Sequence, residues 1–416
     1  MAGNASREAS DAHDSSAADE AMYLDAASTV AVSPSVIKAM LPFWLSDYAN
    51  PSSVHAYGKS AAESLENARR IFASDLGASA HEVIFTSGGT ESDNLAVKGI
   101  AMALRSAQIS DGDTATPRGD RTRRNHIAIS AIEHPAIMES AQWMSRYFGF
   151  HIDALPVDSF GRVDVEAYET IVSHRTALVS VALANNEVGT MQPISELARI
   201  AHLNGALMHT DAVQAAGHVP IDMASLGADA MSVSGHKFGT PKGMGALILR
   251  SAAPYEPLIS GGGQESGRRS GTQDVAGAVG MAVALHESVQ RMRSFGERIA
   301  ESRDMLISAV SEAIPEARLT GARDPSQRLP GHASFVFPRV LGEALLVDLD
   351  TAGIMCSSGS ACSDARDVTP RTLMAMGYDE QTAKTSIRMT FQTPLEPGQI
   401  RRIVHVLDSS YHRLAG

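Results

Sequence analysis

The feature of this sequence that most restricts its fold is a regular alternation of short apolar runs and amphipathic stretches, which begins at Tyr23. Short apolar runs are typical of strands buried on both faces, and the amphipathic stretches are typical of helices that cover them. Strand, helix and strand in repetition predict a mainly parallel sheet. The predicted strands are Val83 to Thr86, Ile127 to Ser130, Leu178 to Leu183, Leu207 to Thr210, Ala230 to Val233 and Ala246 to Leu249, and the predicted helices are Ser92 to Arg105, Pro135 to Tyr147 and Ile194 to Leu203.

The length of 416 residues predicts two domains, because a single core rarely grows beyond about 250 to 300 residues. A helical pattern from Met281 to Ala313 leads into strands predicted near Ala333 to Phe337 and Ser386 to Thr390. We expect a flexible acidic tail at residues 1–21, a large domain at 38–290, and a small α+β domain made of residues 22–37 and 291–416. The polar segment 107–125 is expected to be a surface excursion.

The charge balance and the cysteine content exclude several classes of protein. Lys and Arg total 35 against 47 Asp and Glu, and no basic stripe stands out, so a nucleic-acid partner is not expected. No apolar run reaches the roughly 20 residues that cross a bilayer, and the first residues lack the pattern of a secretion signal. We therefore expect a cytoplasmic protein without a membrane partner. The two cysteines, Cys356 and Cys362, do not suit a disulfide framework or a zinc site, and no metal is expected.

A glycine turn, Ser87-Gly88-Gly89-Thr90, follows the strand predicted to end at Thr86 and opens the next predicted helix. Glycines let the backbone approach an anion closely, and the free N–H groups at a helix start favour a phosphate. An ordinary turn is the commoner structure for such a sequence. The turn by itself therefore indicates a phosphate site only weakly.

Asp211 stands at the end of another predicted strand. Ligands bind open parallel sheets at the carboxyl ends of strands, so a carboxylate here is well placed to meet a cofactor. A cap for the following helix is the alternative role.

Lys237 lies in the turn SGHKFG, which follows a further predicted strand. Burial beside Asp211 would lower the pKa of its amino group and make it able to form a Schiff base. Most lysines are solvated, and we expect this for Lys242. A phosphate cradle, a strand-end aspartate and a buried lysine, in this order, are what pyridoxal 5'-phosphate (PLP) requires.

Two further residues near the C-terminus could take part in chemistry. Cys362 lies among Ser, Gly and Ala residues, which predict an exposed loop from which a thiolate can reach a substrate. Cys356 follows an apolar run and is expected to be a small core residue. Arg388 lies on an apolar predicted strand, where it needs a partner. That partner is either a substrate carboxylate or an aspartate of the small domain, and the pattern alone leaves both open.

Ten ordered motifs between Tyr23 and the C-terminus resemble the NifS/IscS-type cysteine desulfurases, PLP enzymes of the class V aminotransferase superfamily with the aspartate-aminotransferase fold (fold type I). The motifs are YLDAAST (23–29), NPSSVHAYG (50–58), IFTSGGTESDNLAVKG (84–99), EHPA (133–136), ANNEVGTMQPI (184–194), HTDAVQAAG (209–217), SGHKFG (234–239), GGGQESGRRSGT (261–272), SSGSACS (357–363) and SIRMT (386–390). The resemblance implies a mainly parallel seven-stranded sheet in the large domain.

The resemblance also implies roles for individual residues. Lys237 would carry PLP, Asp211 would face its pyridine nitrogen, and His134 would stack on the ring and move protons. Gln214 would hold the ring hydroxyl, and Asn186 and Arg388 would hold the substrate carboxylate beside the cofactor. The phosphate would be bound by Gly89, Thr90, Ser234 and His236, and by Thr272 of a neighbouring subunit, which implies a homodimer with shared active sites.

The activity that this resemblance implies is conversion of L-cysteine to L-alanine, with transfer of the sulfur to Cys362 as a persulfide. The sulfur would then pass to an acceptor protein, such as an iron–sulfur scaffold or a tRNA-thiolation enzyme. Three alternatives are a selenocysteine lyase, an aminotransferase of the same fold, and a catalytically silent scaffold. An aminotransferase needs no loop cysteine, so the SSGSACS motif argues against it.

Overall fold

A computed structural model describes residues 21–110, 124–358 and 370–416 of the chain, except for the side chains of residues 107–110. Residues 1–20 of the expected tail, most of the expected excursion at 107–125, and Cys362 lie outside the described residues.

Among the described residues, seven strands form one large sheet and five further strands lie outside it. In chain order the strands are β1 (Met22–Tyr23), β2 (Val83–Thr86), β3 (His126–Ser130), β4 (His151–Leu155), β5 (Thr176–Ser180), β6 (Leu207–Asp211), β7 (Ala230–Ser234), β8 (Gly245–Leu249), β9 (Arg318–Leu319), β10 (His332–Val336), β11 (Ile354–Met355) and β12 (Ser386–Thr390). The large sheet has the order β2-β8-β7-β6-β5-β3-β4. Only β8 runs against its neighbours β2 and β7. The predicted seven-stranded, mainly parallel α/β fold is confirmed.

The strands predicted from apolar runs lie within a few residues of the observed ones because they are buried on both faces. Every residue of β2, β3, β5, β7 and β8 is buried. The sequence reading missed β4, an edge strand with the sequence HIDAL in which only Leu155 is buried. An edge strand carries polar residues on its solvent side, so it has no continuous apolar run.

The helices of four or more residues are α1 (Pro34–Met40), α2 (Pro42–Leu45), α3 (Ala56–Asp75), α4 (Gly89–Asn94), α5 (Ile100–Ser110), α6 (Pro135–Phe148), α7 (Val165–Ile171), α8 (Ile194–Leu203), α9 (Met223–Leu226), α10 (Val275–Ala313), α11 (Gly342–Thr351), α12 (Arg371–Ala375), α13 (Glu380–Ala383) and α14 (Pro397–Ala415). A π-helical segment, Leu95–Gly99, joins α4 to α5. Helix α10 begins before Met281 because the Asp274 side chain accepts the N–H of Gly277 and caps the helix start. No helix within these described stretches is long and apolar enough to span a bilayer.

Two faces of the large sheet pack against separate layers of helices. Alternate residues of β2 show this, since Val83 and Phe85 join one apolar cluster and Ile84 joins the other. A third cluster surrounds the small antiparallel sheet β12-β10-β9 and includes Leu24 from the N-terminal segment. Helix α10 contributes to two of these clusters, with Leu285 in the first and Leu306 in the third. The predicted domain limits stay a prediction.

The topology brings the ends of three strands to one edge of the sheet. Strands β6 and β7 are parallel neighbours, and β2 runs in their direction because β8 lies antiparallel between β2 and β7. The carboxyl ends of β2, β6 and β7 therefore share an edge. The glycine turn, Asp211 and the turn that holds Lys237 follow these three ends.

Candidate active site

A cleft of about 1070 Å³, including its open mouth, lies at this edge of the sheet. Nine of the residues predicted from sequence line it: Gly89, Thr90, His134, Asn186, Asp211, Gln214, Ser234, His236 and Lys237. Gly89 and Lys237, which are 148 positions apart in the sequence, therefore line the same cleft.

The glycine turn forms one end of the cleft, at the start of helix α4. A Cβ atom on Gly89 would lie 2.8 Å from Val213 Cγ2 and 3.3 Å from Ser234 Cβ. Glycine at this position lets the helix start pack closely against the turn after β6 and the end of β7. The first N–H groups of a helix have no partner within the helix and suit an anion.

Asp211 is a buried carboxylate on the floor of the cleft. Its Oδ1 atom accepts a hydrogen bond of 2.8 Å from the N–H of Val213. Burial raises the pKa of Asp211, while His134 and Lys237 act to lower it. A positive group opposite Asp211 would therefore favour its charged form.

Two further buried carboxyl groups, Asp93 and Glu133, lie close enough to Asp211 to interact with its charge. Neither was predicted from the sequence. Burial raises the pKa of each well above its usual value, and Asp211 raises both further. Asp93 Oδ1 and Glu133 Oε2 accept no hydrogen bond within the described structure. Asp93 lies within the motif IFTSGGTESDNLAVKG and Glu133 within EHPA, but neither motif shows that these side chains point inward.

Lys237 lies at the end of a short 3-10 turn after β7. Its Nζ atom donates to the carbonyl oxygens of Ala27 at 2.6 Å and Ser28 at 2.8 Å. Gln214 donates to the same Ala27 carbonyl at 3.0 Å. The N-terminal segment thus contacts both of these predicted cofactor residues, and through Thr29 it also contacts a third, His236. Lys242 also lines the cleft and is exposed, as predicted.

Two histidines of the cleft are held in neutral forms. His134 caps helix α6, with its Nδ1 atom accepting the N–H of Ala136 at 3.2 Å, so Nε2 carries the hydrogen of the neutral ring. Burial lowers the pKa of His134. Burial, followed by the charges of Lys237 and Lys242, lowers the pKa of His236 to about 4.

Arg388 is fully buried behind the cleft and is not part of its lining. Its Nη2 atom donates to Asp25 Oδ1 at 2.7 Å, and its Nη1 atom donates to the carbonyl of Asn186 at 3.0 Å. The ion pair with an aspartate, one of the two roles left open by the sequence, is therefore present. Asn186 lines the cleft, so the guanidinium lies one residue behind the wall.

Three other sequence-based expectations concern residues away from the cleft lining. Thr272 is exposed and does not line the cleft of its own chain. Cys356 packs against the third apolar cluster, and burial raises the pKa of its thiol to about 12. Cys362 lies outside the described residues. Within the described ranges, no group of three or more His, Cys, Asp or Glu side chains could hold a metal ion.

Glu187, beside Asn186, gives a prediction about pH. Its Oε1 atom accepts a hydrogen bond of 2.7 Å from Thr372, and burial raises its pKa from 4.5 to about 7. A raised carboxyl pKa means that the proton is bound more tightly in the folded state, so stability is full below pH 4.5 and falls as the pH rises through about 7. Glu187→Gln should therefore raise the free energy of unfolding near pH 8 by about 3 kcal/mol. Urea unfolding near pH 4.5 should show little gain, and the exposed Glu169→Gln should show none at either pH.

The comparisons with known proteins agree with this architecture. Residues 22–393 match the model of the family described as aminotransferase class-V. The chain is 44% identical over 370 residues to an IscS-like cysteine desulfurase of Mycobacterium tuberculosis, with 88% of this chain and 90% of that protein covered. It is 38% identical over 386 residues to the cysteine desulfurase IscS of Clostridium botulinum, with 93% of each chain covered.

A solved structure described as a NifS-like protein superposes with a TM-score of 0.82 at 34% identity, covering 95% of this chain and 100% of that one. The family model, the alignment with the Mycobacterium tuberculosis protein and the superposition with the NifS-like structure each cover most of the chain. The chain belongs to the class-V aminotransferase family and, within it, to the NifS/IscS-type cysteine desulfurases.

Proposed function

We propose that this protein is a PLP-dependent cysteine desulfurase that converts L-cysteine to L-alanine and transfers the sulfur to Cys362. The observation that carries the proposal is the meeting of Lys237, Asp211 and the glycine turn in one cleft. The relatives named as cysteine desulfurases support the reaction.

The residues of the cleft fit the chemical groups of PLP. The helix start at Gly89 and Thr90, with Ser234 and His236 nearby, offers donors for the phosphate. Asp211 would face the pyridine nitrogen, where a positive N–H would relieve the cost of burying its charge. Gln214 would hold the ring hydroxyl, and Lys237 would attach the cofactor covalently.

When bound, PLP supplies an electron sink that stabilises negative charge on the substrate carbon next to the amino group. Asp211 would keep the ring nitrogen protonated, which this role needs. Asn186 and Arg388 orient the substrate carboxylate. His134 would stack on the ring and take part in proton transfer. Its Nδ1 atom can accept a proton only after giving up the hydrogen bond from Ala136.

Sulfur transfer is assigned to Cys362 as nucleophile. Its thiolate forms a bond to the substrate sulfur while the bond between that sulfur and carbon breaks. The electron pair of the broken bond stays with the carbon fragment, which takes up protons and leaves as alanine. The product on the enzyme is a persulfide at Cys362, whose terminal sulfur passes to an acceptor protein, either an iron–sulfur scaffold or a tRNA-thiolation enzyme in the cytoplasm.

The experiment that tests this function supplies the purified holoenzyme with L-cysteine and measures alanine, sulfide and protein persulfide together. We expect the amount of alanine to equal the summed amounts of persulfide sulfur and sulfide. Release of pyruvate, or transfer of the amino group to a keto acid, would contradict the proposal. Selenocysteine lyase is the remaining alternative, and a strong preference for selenocysteine over cysteine in the same assay would favour it.

We further propose that the protein is a homodimer, with Thr272 completing the phosphate site of the partner. Thr272 is exposed and absent from the cleft of its own chain, which supports a role across an interface. Residues 37–57 contain seven large apolar side chains that are exposed in the single chain, as expected for a surface that is buried between two subunits. They are Ile37, Leu41, Trp44, Leu45, Tyr48, Val54 and Tyr57.

Sedimentation of the wild-type protein should give a dimer, and Leu45→Glu should shift it toward monomer. Leu45 is 69% exposed in the single chain, so the charge costs the monomer little. Leu203 is 75% exposed on helix α8, away from this stretch, and Leu203→Glu is the matched control that should stay dimeric. A monomeric wild-type protein at micromolar concentration would contradict the proposal.

A further inference from the structure

One short turn near the N-terminus contacts both Lys237 and Arg388. The N–H of Ser28 donates to the carbonyl of Asp25, and the Ser28 hydroxyl donates to Asp25 Oδ1 at 2.8 Å. The side chains of this turn accept from Arg388, and its backbone carbonyls accept from Lys237. The turn is itself tied to strand β12 through Thr390, whose side chain accepts the N–H of Ala27 at 2.9 Å.

The hydrogen bonds of Arg388 show which of its guanidinium N–H groups already have acceptors within the protein. Asp25 at 2.7 Å and the Ser28 hydroxyl at 2.9 Å both accept from Nη2, and the Asn186 carbonyl accepts from Nη1. A guanidinium has five N–H donors, so two remain, one on Nη1 and one on Nε. Nε is buried without a hydrogen-bond partner in the described structure. An unused donor on a fixed cation that lies one residue behind the cleft wall suits a substrate carboxylate bound at that wall, beside Asn186.

The same turn sets the position of the Lys237 amino group. The carbonyls of Ala27 and Ser28 hold Nζ at 2.6 and 2.8 Å. Ser28 therefore accepts hydrogen bonds from both cations, from Arg388 with its hydroxyl and from Lys237 with its carbonyl. Any change in how the turn holds Arg388 is carried directly to the acceptors of Lys237.

We infer that Asp25 and Ser28 are positioning residues, which fix the Arg388 guanidinium for the substrate carboxylate on the turn that holds the Lys237 amino group. The inference rests on the proposed function, since it assigns the carboxylate partner of Arg388 to the amino-acid substrate. Asp25 supplies the negative charge that keeps the buried guanidinium in place. The Ser28 hydroxyl accepts from the second N–H of Nη2 and so fixes the orientation of the guanidinium plane.

The test compares binding of two amines to the holoenzyme, L-alanine and ethylamine, which is alanine without its carboxylate. Binding is followed by the change in visible absorbance of bound PLP, which does not require turnover. Asp25→Asn keeps an oxygen acceptor for Nη2 and removes the charge. Because charge-assisted hydrogen bonds are roughly twice as strong as neutral ones, the preference for alanine over ethylamine should fall about tenfold. The KM for L-cysteine should rise by a similar factor, with a smaller change in kcat.

Asp350→Asn is the matched control, because Asp350 is an exposed acid at the end of helix α11 whose charge, like that of Asp25, acts on Cys356. It should keep the wild-type preference. If Asp25→Asn does not fold, Ser28→Ala tests the same claim and should lower the preference about threefold, as expected for loss of one hydrogen bond to a charged group. An unchanged preference would overturn the inference, and so would tighter alanine binding, which would make Asp25 a competitor of the substrate. A wild-type protein that binds alanine but forms no persulfide from cysteine would instead overturn the proposed function.

Discussion

Lys237→Ala is expected to abolish desulfuration and to remove the covalent bond to PLP that borohydride reduces. The amino group at this position is the one held at the carbonyls of Ala27 and Ser28 beside the buried Asp211. Loss of a group that acts as an acid or base in catalysis costs about 10²- to 10⁴-fold in rate. Loss of the covalent attachment adds to that cost, so we expect a fall of at least roughly a thousandfold.

Lys242→Ala is the matched control for this experiment. Lys242 lines the same cleft but is exposed at its mouth. The Lys242→Ala protein should stay yellow, keep its borohydride-reducible cofactor and retain most of its activity. A Lys237→Ala protein that remained yellow and reducible would contradict the assignment of the cofactor lysine.

Cys362→Ser is expected to leave PLP binding intact and to eliminate protein persulfide and sulfide release from L-cysteine. A serine hydroxyl cannot hold sulfane sulfur, and it is not ionised at neutral pH. The chain has only one other cysteine, Cys356, whose thiol has a pKa raised to about 12 by burial. At neutral pH Cys356 is therefore a neutral thiol and a poor nucleophile.

Cys356→Ala provides the control for the loss of a thiol. It should retain persulfide formation and lose only the packing of a small side chain against the third apolar cluster. The two variants together separate the cysteines by role. Persulfide on the Cys362→Ser protein would contradict the assignment of the nucleophile.

The fold was largely predictable because its central strands are buried on both faces and therefore read as continuous apolar runs. Strand β12 was predicted at Ser386 to Thr390, and helix α8 at Ile194 to Leu203, both with the observed bounds. Strand β4 was missed because its exposed edge position breaks the apolar run. Local pattern thus identifies a strand buried on both faces or an amphipathic helix, and it fails for an edge strand such as β4, whose exposed residues break the apolar run.

The candidate site was predictable where each residue belongs to a motif at a strand end, as for Lys237 and Asp211. The partners that set the charges of the site were not predictable in this way. Asp25 and Arg388 lie 363 positions apart in sequence, and nothing local to either residue indicates their ion pair. The same holds for Asp93, which faces Asp211 only because β2 and β6 lie in one sheet. Pairings between distant segments depend on the whole topology.

The most direct test of the proposed function is to locate the cofactor on the chain. The holoenzyme is reduced with borohydride, digested, and its peptides are analysed by mass spectrometry for the pyridoxyl group. The account predicts the modification on Lys237, within the turn SGHKFG that follows β7. Modification at Lys242 or elsewhere, with Lys237 unmodified, would contradict it.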